Sequence, residues 1–83
     1  MSFVRVYTKP GCMGCKLIIG KLRKAGIDPA IIDITKDEGA EAFVKELGAL
    51  GVPVVTSSVM DPILGFKLDA VDELISLYPK SAA

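Results

Sequence analysis

Eighty-three residues with ten Lys/Arg, ten Asp/Glu and no histidine describe one small domain, residues 1–83, of zero formal charge. Hydrophobic residues make up 51% of the chain, which is too much for a disordered segment, and the charge balance argues against nucleic acid as an obligatory partner. No run of about 18 apolar residues is present to span a membrane. Arg5 and Lys9 interrupt the N-terminal apolar stretch where a signal peptide would continue it, so the expected compartment is cytoplasmic.

The charge is unevenly spread. Residues 1–24 carry six Lys/Arg and no Asp/Glu, and residues 25–83 carry four Lys/Arg and ten Asp/Glu. A solvated basic helix face accounts for this, as does a basic half that stabilises an anion and meets acidic partner surfaces.

In chain order, Phe3-Val4-Arg5-Val6-Tyr7 alternates and is rich in β-branched and aromatic residues, so it predicts a strand. Thr8-Lys9-Pro10-Gly11 follows as a turn. From Met13 the apolar period changes. Cys15, Ile18, Ile19, Leu22 and Ala25 recur at helical spacing, and Gly26 after a cationic last turn predicts the stop. Gly20 inside this helix costs about 1 kcal/mol relative to alanine, which suggests close packing against the sheet.

Ala30-Ile31-Ile32-Asp33-Ile34 is nearly continuous and apolar, the pattern of a central strand covered on both faces. Thr35 or Asp37 is expected to cap a second helix with Ala40, Phe43, Val44 and Leu47 on one stripe. Glu41 and Lys45 are expected to pair outside it, with Gly48 and Gly51 at its end. Pro53 to Thr56 reads as a third strand, Ser57 to Pro62 as a loop and Ile63 to Phe66 as a fourth strand. Asp69 then caps a last helix that buries Val71, Leu74, Ile75 and Tyr78 and stops at Pro79, with a frayed tail from Lys80.

The chemistry of the chain concentrates at Cys12-Met13-Gly14-Cys15, whose cysteines are the only two present. A C-x-x-C between a strand and a helix is the arrangement of a dithiol that cycles with a disulfide. The attacking species is the thiolate. Cys12 falls at the helix start, where free backbone N–H groups favour negative charge, and Lys9 adds a cation upstream. Together these are expected to bring Cys12 toward the ~3.5–7.5 range of such thiols. Cys15, one turn on and on the apolar face, is expected to be partly buried. Cys12 then attacks and Cys15 resolves. Met13 offers a flexible apolar contact to a partner, and Gly14 is expected to leave the approach to Cys12 open.

Other readings of the motif are weaker. Zinc needs four ligands, and two cysteines with no histidine leave only carboxylates to complete the set. A purely structural disulfide closes too short a loop to gain much. Soft-metal ligation, by copper(I) or by a cluster shared between two chains, stays open as a metal- or cluster-binding module, although small copper chaperones usually run βαββαβ. Val52-Pro53 is the second informative place. A strand-edge proline is the plain reading, whereas a cis bond beside the cysteines would leave the Val52 N–H and C=O free to pair with a partner's extended segment.

The element order βαβαββα, with a mixed four-stranded sheet and three helices, is that of a thioredoxin-like α/β fold. The residues Val6 to Lys16, Gly51 to Val55 and Gly65 to Asp69 resemble the glutaredoxin branch of that superfamily over nearly the whole chain. Within it they are most similar to the NrdH-redoxins. Met13-Gly14 stands in place of the Pro-Tyr of typical glutaredoxins, Leu64-Gly65-Phe66 in place of the Gly-Gly that helps hold glutathione, and Gly65, Phe66 and Asp69 match a segment of the subgroup. Ile63, Leu64 and Leu68 depart from the subgroup's Trp, Ser and Pro.

The resemblance implies a dithiol–disulfide oxidoreductase that needs no bound cofactor, and with nothing in the chain pointing to an obligate dimer a monomer is expected. It implies that thioredoxin reductase reduces the chain with electrons from NADPH, and that ribonucleotide reductase receives them. It also implies a cis-proline at Pro53, with Val52 and Pro53 orienting the substrate and Gly65 and Phe66 lining the neighbouring surface. A glutathione-dependent glutaredoxin with the same two sulfurs is the alternative.

Overall fold

A computed structural model describes residues 4–78. Phe3, Pro79 and the tail from Lys80, which the sequence reading assigned to a strand, a helix stop and a frayed end, lie outside those residues. Strands β1 (Val4–Thr8), β2 (Ala30–Asp33), β3 (Val54–Ser57) and β4 (Ile63–Leu64) alternate with helices α1 (Met13–Lys24), α2 (Glu38–Glu46) and α3 (Leu68–Leu77) in the order βαβαββα. The sheet runs β2-β1-β3-β4. β1 and β2 are parallel, while β1 with β3 and β3 with β4 are antiparallel, so the sheet is mixed.

The period-2 alternation of the strands divides the core into two layers. Val4, Val6, Val55 and Ile63 face α1 and α3, meeting Ile18, Leu22, Val71 and Leu74. Tyr7 and Val54 face the other way, onto Ala40 and Val44 of α2. The helices on each side cover the two central strands most completely.

Local signals set the helix ends. The Asp37 carboxylate accepts the Ala40 N–H at 3.0 Å and caps α2, which selects Asp37 over Thr35. Gly26 (φ +83°) and Gly48 (φ +88°) each follow the last turn of a helix in the left-handed region that glycine adopts without strain. The reversed hydrogen bonds of the helix-ending turn close across both. Ile27 N–H donates to Leu22 C=O at 3.0 Å, and Ala49 N–H donates to Val44 C=O at 3.3 Å.

Several expectations fail for identifiable reasons. β2 is an edge strand, not a central one, and Ala30 and Ile31 are exposed. An apolar run records what a strand tolerates and not how many neighbours it receives. Gly20 faces open space, with nothing within 4 Å of an added Cβ, so it does not mediate packing against the sheet. Ala25 is the exposed C-terminal cap of α1 and not part of its buried stripe.

Asp69 lies inside the first turn of α3. The cap position is Lys67, which makes no side-chain capping bond. β3 reaches Ser57, and β4 ends at Leu64, two residues short of the expected Phe66. Phe43 is only half covered, by the Tyr7 ring at a centroid distance of 5.5 Å. Glu41 and Lys45 are exposed, and among the described residues the ion pairs are Lys21–Asp72 at 2.7 Å and Arg23–Asp28 at 3.9 Å.

Candidate functional site

Strand register brings three connections to one end of the sheet. β1 runs into the loop Lys9-Pro10-Gly11 and then the cysteines. Because Tyr7 lies opposite Val54 in an antiparallel pair, the residues leading into β3 sit beside the end of β1. Leu64 lies opposite Val54 in turn, so Gly65 and Phe66 leave β4 at that same end. The topology thus gathers Cys12, Val52-Pro53 and Gly65-Phe66, which are far apart in sequence.

Cys12 is the N-cap of α1, with extended backbone at φ −84° and ψ 101°. Its N–H donates to Lys9 C=O at 3.3 Å, which closes the turn, and its Sγ accepts the Cys15 N–H at 3.1 Å. A sulfur in a cap position takes the place usually held by a serine or aspartate oxygen and receives one of the N–H groups that a helix start leaves unpaired. Cys15 follows on the buried face. It is 0% exposed, and its Sγ lies 4.0 Å from the Tyr7 carbonyl oxygen.

The two cysteines form a disulfide, with Cα atoms 5.3 Å apart. Cys12 is half-buried, so an external sulfur has access to the pair through Cys12 alone. Met13, between them, is 70% exposed.

The Val52–Pro53 peptide bond is cis, as the family resemblance implied, where the residues alone left a plain strand-edge proline equally open. Pro53 is buried and its C=O accepts the Gly65 N–H at 2.9 Å, tying the start of β3 to the end of β4. Neither the N–H nor the C=O of Val52 enters a hydrogen bond with the described residues, and Val52 is half-buried. Main-chain groups in this state at a partly exposed edge are ready to pair with an extended segment. Lys9 contributes its backbone carbonyl to the turn, and its side chain is exposed.

Gly14 behaves differently from its sequence reading. The Phe66 ring lies over it, with Cδ1 2.9 Å and Cγ 3.5 Å from where a Cβ would stand. Phe66 therefore covers that side of the motif, and the side is not open. Leu50 was not singled out from the sequence. It is fully exposed at the tip of the loop before Val52, and with Val52, Leu64 and Gly65 it lines a cleft of about 480 Å³. The sequence signal was a lone large apolar residue within Gly48-Ala49-Leu50-Gly51.

The model of the glutaredoxin family matches residues 4–58, most of the described chain and the whole of the cysteine and cis-proline regions. This chain belongs to the glutaredoxin family. Among curated proteins it is 46% identical over 79 residues to the Gene 56 protein of Mycobacterium phage L5, covering 94% of this chain and 77% of that one. It is 38% identical over 79 residues to the Gene 56 protein of Mycobacterium phage D29, covering 94% and 88%.

Among solved structures, NrdH-redoxin from Escherichia coli superposes with a TM-score of 0.79 at 22% identity, covering 92% of this chain and 95% of that one. The thioredoxin-like protein BC3987 gives a TM-score of 0.74 at 23% identity, with 86% and 97% covered. At these identities the structures establish a shared thioredoxin-like fold. Together with the family match, they make this a glutaredoxin-like protein with a C-x-x-C pair held as a disulfide.

Among the described residues no group of three or more His, Cys, Asp and Glu is gathered as a metal site, and no helix is long and apolar enough to cross a membrane.

Proposed function

We propose that this glutaredoxin-family chain is a cytoplasmic dithiol–disulfide oxidoreductase of the NrdH-redoxin type, working as a monomeric electron carrier. The observation that carries the reading is the unequal placement of the two sulfurs, one capping a helix at the surface and one sealed beneath it.

In the reduced protein the Cys15 N–H that points at Cys12 Sγ favours the thiolate there, and the helix start adds to the effect. The Cys12 thiolate attacks one sulfur of a partner's disulfide. A Cys12–partner bond forms, the partner's S–S bond breaks, and its other sulfur leaves as a thiolate that takes up a proton. Cys15 then loses its proton and attacks Cys12 Sγ. The Cys12–Cys15 bond forms, the second partner thiolate leaves, and two electrons have passed to the partner. Throughout, the free Val52 N–H and C=O hold the partner's segment as an added strand, with Pro53 behind them and Gly65 and Phe66 alongside.

In this reading thioredoxin reductase restores the dithiol with electrons from NADPH carried by that enzyme's own flavin, and ribonucleotide reductase is the acceptor. Membership of the glutaredoxin family supports a second reading, in which glutathione restores the dithiol. Turnover of a protein disulfide is compared in two coupled systems, NADPH with thioredoxin reductase against NADPH with glutathione and glutathione reductase. Robust activity in the first system is expected, and activity in the second alone would overturn the assignment. Cys15→Ser is expected to accumulate a mixed disulfide through Cys12, visible by mass spectrometry. Its absence would reverse the roles of the two sulfurs.

A further inference from the structure

The exposed side of α1 continues from the disulfide down the helix as a surface that the fold does not use. Met13 and Leu17, one turn apart, are 70% and 57% exposed. Beyond them Lys16, Leu17, Gly20, Lys21, Lys24 and the Leu68 side of α3 enclose a shallow groove of about 430 Å³.

Three features of this groove lack an intramolecular reason. Gly20 weakens the helix, yet no neighbour stands within 4 Å of the position a Cβ would take. Leu17 and Leu68 present apolar surface to solvent at its floor and wall. Lys16 and Lys24 are exposed at its rim and form no ion pair with any described residue, whereas Lys21 is held by Asp72 at 2.7 Å. A shallow, apolar, cation-rimmed groove set along α1 beyond the disulfide complements one kind of occupant.

We propose that this groove docks an acidic segment with leucine-like apolar anchors, carried by the protein whose disulfide meets Cys12. The apolar floor and the small number of free cations favour a protein segment over nucleic acid, which needs a continuous basic track. Gly20 keeps the floor open, Leu17 and Leu68 take the anchors, and Lys16 and Lys24 set the sign of charge. The helical rise places Gly20 about 12 Å from Cys12 and Lys24 about 18 Å away. An extended linker of about four residues therefore connects the partner's disulfide to the segment. Lys24 lies well beyond the ~8 Å screening length at physiological salt, so its charge does not act on the Cys12 thiolate.

The inference deepens the oxidoreductase reading, and the test separates the two. A cysteine-free peptide of alternating Glu and Leu at helical spacing, and its Lys-for-Glu analogue, are titrated into the oxidised full chain and followed by amide chemical shifts. The acidic peptide is expected to shift Leu17, Gly20, Lys24 and Leu68 saturably, and the basic analogue to leave them unmoved. Lys24→Glu is expected to weaken binding about tenfold. Gly20→Leu fills the floor with a better helix former and is expected to abolish binding while the spectrum stays that of a folded chain.

Duplex DNA serves as the rival probe, and equal shifts with it would overturn the proposal in favour of a general anion surface. Shifts confined to other residues, or none at all, would also overturn it. The same acidic sequence, joined by a four-residue linker to a peptide disulfide, is then compared as a substrate with the tailless disulfide. The tail is expected to lower KM several-fold in the wild type and not in Lys24→Glu. Tailless turnover is expected to be equal in both proteins. If the tailless disulfide is never reduced, the oxidoreductase reading fails whatever the shifts show. If it is reduced but the tail confers no advantage, the groove fails alone.

Discussion

Gly14 and Gly20 lie in the same helix, and the same substitution at each isolates the contact between Phe66 and the cysteine motif. At Gly20 an added methyl meets nothing within 4 Å, so alanine changes only the helix propensity. The expected gain is about 0.8–1 kcal/mol. In a domain of this size about 1 kcal/mol moves Tm by about 4–8 °C, so Gly20→Ala is expected to raise Tm by about that amount.

At Gly14 the methyl lands 2.9 Å from Phe66 Cδ1, closer than carbon atoms tolerate, so the ring must turn. Phe66 is half-exposed and has room to move. Holding its side chain about 30° off its preferred rotamer costs about 0.5–1.5 kcal/mol, which offsets about half of the helix gain or exceeds it. Gly14→Ala is therefore expected to place Tm between about 6 °C below and about 4 °C above the wild type, and below that of Gly20→Ala. In a Phe66→Ala background the ring is gone, and Gly14→Ala is expected to recover the stabilisation seen at Gly20. Thermal unfolding of the oxidised variants by circular dichroism measures all four. If Gly14→Ala stabilises as much as Gly20→Ala with Phe66 present, the ring does not rest on Gly14 and the account of that wall of the site is wrong.

Two further outcomes test the frame around the site. Leu74 is fully buried between α3 and the sheet, so Leu74→Ala is expected to cost about 2–5 kcal/mol, read from chemical denaturation. A loss below about 1 kcal/mol would mean that α3 does not seal that layer. Asp33 at the end of β2 accepts the Thr35 hydroxyl at 2.6 Å and the Thr35 N–H at 2.8 Å, and these bonds hold its carboxyl below the ordinary 3.8. A depressed carboxyl stabilises the folded state above its unfolded value and loses that contribution as pH falls through its folded value. Thr35→Val is expected to move the Asp33 titration, followed by carboxyl NMR, up toward 3.8. An unchanged titration would show that the side-chain bond, the larger cause, does not set it.

The element order, the helix limits at Gly26 and Gly48, a cap at Thr35 or Asp37 and the deeper placement of Cys15 than Cys12 were all legible in the sequence, whereas the structure chose Asp37 and buried Cys15 completely. Each depends on interactions within a few residues: a cap, a left-handed glycine, an apolar stripe at helical period. The sequence also pointed to Val52-Pro53 as a second site, because an X-Pro bond at a strand start carries a local signal of its own.

What the chain left open was who stands next to whom. The apolar run at β2 suggested a central strand, yet strand order put it at the edge, because hydrophobicity does not count neighbours. Gly14 and Gly20 are the same residue in the same helix, and only the fold distinguishes them. One lies under a phenylalanine from 52 residues further along the chain, and the other faces solvent. The register of β1, β3 and β4 likewise brings three separated segments to one end of the sheet. Local chemistry marked which residues form the disulfide, whereas long-range packing set what surrounds them, since contacts between distant segments leave no periodic trace in the sequence.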